Sequence, residues 1–330
     1  GYHAVVLTDV IQGVVMIFGV FIMVFFIVAQ AGGFSGATAT LDSINPALSD
    51  PVGPPGIIPL LSLVVLTSLG PWGLPQMVQK FYSIQGKQTV RKAMIVSTVF
   101  AVVISFGAYY TGSLSRVFCS PEMTPELFEA GRPSFDRLMP YMITHAIPSA
   151  LGIIILLLVL SASMSTLSAL VLVSSSSIAV DLVAHAGRGK IQQGTVTLLM
   201  RILCVFFILA SVLIAISEPA YIVTLMSISW GTIAGCFLAP FLLGLYWKGV
   251  TKAGAIAGCV SGLVISVGLF WYWDFNAKLV PLAGSIAMVV PLAVVWLVSL
   301  ATPKFEASWV ASVFKEDETP VEAVPVEPAQ

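Results

Sequence analysis

Residues 161–177 read SASMSTLSALVLVSSSS and follow the run LGIIILLLVL at 151–160. Eight serines and one threonine thus interrupt an otherwise apolar stretch. On a helix, a hydroxyl at position i lies beside the carbonyls of i−3 and i−4. Ser165 and Thr166 are therefore both neighbours of the Ala162 carbonyl. Two hydroxyls and a carbonyl within one turn make half a shell for a hard cation, which prefers oxygen ligands. The same hydroxyls also serve as back-bonding groups, or as small residues that let helices approach closely. Both readings stay open at this level, and Ser174 to Ser177 fall with packing.

Other residues of chemical interest are few. Asp9, in VVLTDVIQG, is the acid that stands deep in the apolar N-terminal segment. Ionisable residues inside membranes are costly and mark ion or proton pathways. Gln12 lies three residues on, along the same helical face. Asp181 reads as an interfacial residue closing a long apolar segment. The stretch SLGPWGLPQ at 68–76 places two glycines and two prolines inside one apolar run. Proline deletes a helical hydrogen bond and clashes with the preceding turn, so a broken helix is expected here. Broken helices at membrane depth face protein or a wet cavity, and in transporters they mark binding sites. Trp72, Gly73 and Gln76 at this break are candidates for a substrate pocket. No phosphate-binding loop, nucleophile elbow or HExxH pattern is present, and nothing points to an enzyme or to a cofactor.

These residues need a lipid-embedded scaffold. Of 330 residues, 58% are hydrophobic and 9% charged, against about 25% charged in soluble domains. Too few charges exist to cover a watered surface. Basic and acidic residues nearly cancel at 15 and 16, so no nucleic-acid partner is signalled. Crossing a bilayer takes about 20 mostly apolar residues as a helix. Eight segments qualify, near 3–31, 56–80, 91–115, 147–182, 197–216, 220–246, 253–273 and 279–301. Their continuous apolar character excludes the alternating pattern of a membrane barrel. The expectation is an all-α integral membrane domain over 1–303, then a cytoplasmic tail over 304–330, acidic, proline-rich and largely disordered. With residue 1 inside and each segment crossing once, the cytoplasmic side collects eleven Lys and Arg and the outside four. The positive-inside bias therefore places both ends in the cytoplasm. The chain starts at Gly1 and enters an apolar run at once, which suggests that an N-terminal part is missing.

Taken together, four stretches resemble the sodium/solute symporters, the family of proline, pantothenate and sugar carriers. They are AVVLTDVIQGVVMIFG at 4–19, PWGLPQMVQKFYSIQ at 71–85, SASMSTLSALVLVSSSSIAVDL at 161–182 and APFLLGLYWKGVTKAGAIAGCVSG at 239–262. The resemblance implies a LeuT-like fold of two inverted five-helix repeats, five helices of the whole being absent from this chain. It implies that Ala162 offers a backbone oxygen, and Ser165 and Thr166 their hydroxyls, to sodium. Asp9 matches a functionally sensitive aspartate near the cytoplasmic sodium exit, and Trp72 a substrate-pocket aromatic. The implied activity is sodium-coupled symport of a small amino or organic acid such as proline or pantothenate. The implied partners are that solute, the sodium ion and the plasma-membrane bilayer. The alternatives are a transport-inactive membrane sensor or scaffold, and a proton-coupled carrier using Asp9.

Overall fold

The computed structural model describes residues 2–75, 77–78, 84, 86–129, 132–187, 191–217 and 220–314. The architecture is helical throughout, apart from a two-residue antiparallel pair that aligns Phe128 with Pro133. In chain order the helices are α1 (Tyr2–Gln30), α2 (Gly33–Ile44), α3 (Ile57–Leu69), α4 (Lys87–Ser113), α5 (Ser115–Phe118) and α6 (Phe135–Ala146). They continue with α7 (Ser149–Ser176), α8 (Gln193–Ser217), α9 (Ile222–Tyr246), α10 (Lys252–Tyr272), α11 (Val280–Ala301) and the short α12 (Ala307–Val313).

Seven of these are long and apolar enough to cross a membrane. The eighth expected segment, 56–80, is interrupted: among the described residues its apolar helix runs from Ile57 to Gly73. The reason is the predicted break. Regular helix ends at Leu69, a tight 3-10 turn spans Gly70–Gly73, and Leu74 is extended. Pro71 lacks the N–H that would continue the ladder and disfavours helical geometry in the residue before it. The 220–246 segment instead stays one helix through Pro240. Within the expected tail, 307–313 is helical, and 315–330 lie outside the described residues.

Contacts group the chain into two units, one of Gly1–Gly56 and Ile95–Val223, the other of Ile57–Met94 and Thr224–Gln330. In the first, α1 packs along α7. A side chain at Gly19 would begin 2.7 Å from the Leu158 Cβ, so glycine there lets the helices touch. The core gathers around the C-terminal half of α1, with Ile27, Met142, Leu114 and Ile155 fully buried. Most of α8 is unburied within this chain despite being strongly apolar.

Cys119 closes this core just beyond α5. Burial pushes its thiol pKa up, and the nearby charge of Glu126 pushes the same way. A raised pKa leaves less thiolate at any given pH, and thiolate is the nucleophile. Maleimide labelling of Cys119, followed by mass spectrometry, should therefore keep accelerating with pH above about 8.5, where an ordinary thiol levels off. A plateau near that pH would contradict this environment.

The second unit is held by small-residue packing. The backbone of α10 at Gly262 lies on the α9 backbone at Gly235, and Gly231 lies on Gly284 of α11. Leu66, Ala234, Leu238 and Met288 form a buried cluster from α3, α9 and α11. The Ser285 hydroxyl donates to the Ser62 carbonyl at 2.7 Å, tying α11 to α3.

Candidate functional site

Asp9 and Ser165 are 156 positions apart in the chain, and the packing of α1 on α7 brings them together. The Ser165 hydroxyl donates to Asp9 Oδ1 at 2.6 Å, and the contact is partly buried. Ten residues along α1, from Asp9 to Gly19, correspond to seven residues back along α7, from Ser165 to Leu158. The two helices are thus antiparallel, and the Asp9 side chain meets α7 near the middle of its 36-residue stretch Ser149–Ala184.

Thr166 behaves differently from its neighbour. Its hydroxyl donates back to the Ala162 carbonyl at 3.2 Å, the i−4 contact expected for a helix. Ser165 turns to Asp9 instead, so the two hydroxyls do not form one symmetric pair over that carbonyl. The Ser168 hydroxyl donates to the Ser165 carbonyl at 3.0 Å. Gln12, one turn from Asp9, keeps a buried Oε1 without a hydrogen-bond partner among the described residues. The result is a partly buried oxygen pair, Ser165 with Asp9, in which the carboxylate supplies the negative charge, while the Thr166 and Ser168 hydroxyls are exposed on α7. Such a set suits a hard monovalent cation better than a soft metal.

Further along α7 the hydroxyls pack. Ser175 is fully buried and accepts a bond from Cys204 Sγ of α8 at 3.2 Å, while Ser176 bonds back to the Val173 carbonyl. Past Ser176 the helix widens to a π-helical stretch, Ser177–Ala184, which carries an exposed Asp181. Widened turns of this kind recur at functional sites, and no residue in the sequence announced this one.

The second unit holds the other candidate. A cavity of about 370 Å³ is lined by Trp72, Gly73, Pro75 and Val78 of the break and by Phe237, Pro240 and Phe241 of α9. Its size falls in the range of small-molecule sites, about 300–1,000 Å³. Gly73 is what lets the break lie on α9. A Cβ there would sit 2.8 Å from the Ala234 Cα and 2.9 Å from its Cβ. Gln76, the third expected pocket residue, lies outside the described residues. Phe237 and Phe241 were not singled out from sequence, because aromatics in an apolar run look the same whether they face lipid or a cavity.

A family model described as the sodium:solute symporter family matches residues 1–262. The chain belongs to that family. The chain is 30% identical over 269 residues to the sodium/pantothenate symporter of Escherichia coli (strain K12), covering 80% of this chain and 54% of that protein. It is 28% identical over 277 residues to the sodium/proline symporter of Staphylococcus aureus, covering 82% of this chain and 52% of that one. The chain therefore spans about half the length of the curated relatives it matches. Among solved structures, a Na+-coupled sialic acid symporter in a substrate-bound outward-open state superposes with a TM-score of 0.64. That match has 18% identity and covers 93% of this chain and 64% of the other. The all-helical, LeuT-like fold of this multi-pass membrane chain agrees with the expectation from sequence, and its relatives are transporters, not enzymes.

Proposed function

We propose that this chain carries the sodium-coupling helix and part of the solute pocket of a symporter that works by alternating access. The observation that carries the reading is the Ser165 hydroxyl on Asp9, at mid-length of α7, with the Thr166 hydroxyl and Ala162 carbonyl one turn away. Ala162, Ser165 and Thr166 are the proposed sodium ligands, and Asp9 is the coupling carboxylate. No organic cofactor enters this scheme. Trp72 and Gly73, with Phe237 and Phe241, wall the proposed solute site, and Gln76 follows Gly73 by three residues. A mainly apolar wall suits the ring or chain of a small amino or organic acid, and the relatives' names favour proline or pantothenate. The eleven-to-four distribution of basic residues supports both ends of the chain in the cytoplasm and residence in the plasma membrane.

Coupling follows from linkage. If sodium tightens solute binding, the solute tightens sodium binding by the same factor. Each inward charge then contributes about 2.3 kcal/mol per 100 mV of membrane potential. The test is uptake of labelled proline and pantothenate, with and without sodium, by the protein encoded by the whole gene. Sodium-dependent uptake of either is the expected result. Thr166→Ala should raise the sodium concentration needed for half-maximal uptake several-fold, because one oxygen ligand is lost. Uptake that ignores sodium but follows pH would favour the proton-coupled reading, in which Asp9 is the carrier.

A further inference from the structure

A larger cavity, of about 830 Å³, lies within the first unit. It is built from parts outside the coupling site: the end of α2, the end of α4, α5 and its following loop, and the start of α6. From Asp9 to Gln30 is 21 residues of continuous helix, about 32 Å at 1.5 Å per residue. That is the thickness of a bilayer's hydrocarbon core. α2, which supplies Thr40 and Ile44 to the wall, begins three residues after Gln30. The cavity therefore lies beyond the C-terminal end of α1, well away from Asp9.

Its lining has a specific chemistry. Arg116 and Glu122 both line it, with the Ser120 hydroxyl-bearing residue between them in the chain. Phe128, Phe135, Leu138 and Met139 form an apolar side. A cavity lined by one full positive and one full negative charge disfavours a simple anion, which Glu122 repels, and a simple cation, which Arg116 repels. A molecule carrying both charges satisfies both. The volume is within the range of small-molecule sites.

We propose that this cavity is an accessory site for a small zwitterion with an apolar side chain, a free aliphatic amino acid, well away from Asp9. The Arg116 guanidinium takes the carboxylate, Glu122 takes the ammonium, and the Phe128–Leu138 side takes the hydrocarbon. Arg116 and Glu122 are solvent-exposed, so binding is weak and weakens further with salt. No sodium ligand is involved, so binding is independent of sodium and of Thr166.

The test is equilibrium binding of labelled leucine to this chain in lipid nanodiscs, in sodium-free buffer. Saturable binding is expected, with 4-methylpentanoate and isoamylamine, each lacking one charge, competing at least about tenfold less well than leucine. Arg116→Gln and Glu122→Gln are each expected to weaken binding about tenfold, and the swapped pair Arg116→Glu with Glu122→Arg to recover most of it. Both positions are exposed, so the fold should survive, and unchanged thermal unfolding checks that. Absence of saturable binding overturns the proposal, as does binding indifferent to Arg116→Gln or a swap as weak as the single variants. Binding that requires sodium and is lost in Thr166→Ala belongs to the transport site and overturns it equally.

Discussion

Valine at position 262 is expected to unfold the second unit at a markedly lower temperature. Gly262 places the α10 backbone directly on α9: a Cβ there would collide with the Gly235 carbonyl and come within 2.8 Å of the Cys236 nitrogen. Those are main-chain atoms, and they have no rotamer into which to retreat. The relief must come from separating two helices, which also loosens Gly235 from Ala287 of α11. Overpacking a tight core costs about 1–3 kcal/mol and more where backbone must move, so a loss of about 3 kcal/mol or more is expected. Gly268 on the same helix is the control, because nothing lies within 4 Å of a Cβ built there. Gly268→Ala should be neutral, or stabilising by up to about 1 kcal/mol through helix propensity. Thermal unfolding of both variants in one detergent decides the matter. Equal midpoints for Gly262→Val and the parent would show that α9 and α10 are not packed in this way.

This contrast between two glycines of one helix illustrates what sequence discloses and what it withholds. The helices themselves are legible because lipid demands about 20 apolar residues for each crossing and full internal hydrogen bonding. The break at Gly70–Gly73 is legible for the same reason, since Pro71 removes a donor that the membrane cannot replace. Gly262 and Gly268 look alike in the chain, and only the position of α9 separates them. The site shows the same limit. Ser165 and Thr166 were legible as hydroxyls one turn from Ala162. Their division of labour was not, because it depends on which face of α7 meets Asp9 across 156 residues. Phe237 and Phe241 were illegible because every wall of a membrane helix is apolar, so periodicity does not distinguish a cavity face from a lipid face. Arg116 and Glu122 stand close in sequence, but the cavity they line needs α2, the end of α4 and the start of α6 folded around them.

The contact between Asp9 and Ser165 sets the largest functional effect. Asp9→Asn keeps an oxygen at the Oδ1 position, so the hydrogen bond from Ser165 can persist while the negative charge is removed. Ser165→Ala does the reverse, keeping the charge and removing the hydroxyl that lies 2.6 Å from it. A hydrogen bond to a charged group contributes about 1.5–3 kcal/mol, and each 1.4 kcal/mol is a factor of ten in an affinity. Ser165→Ala should therefore raise the half-saturating sodium concentration for uptake by about tenfold or more, and Asp9→Asn, which removes the charge itself, should raise it at least as much. The double variant carries the sharper information. Residues that act through one contact are not additive, so Asp9→Asn with Ser165→Ala should be little worse than Asp9→Asn alone. Independent roles would instead multiply the two factors, giving a loss of about a hundredfold or more. Sodium titrations of uptake for the parent, the two singles and the double complete the cycle, with unfolding temperatures confirming that each protein is intact. Full additivity would separate Asp9 from the α7 site, and an unchanged sodium requirement in Asp9→Asn would remove it from coupling altogether.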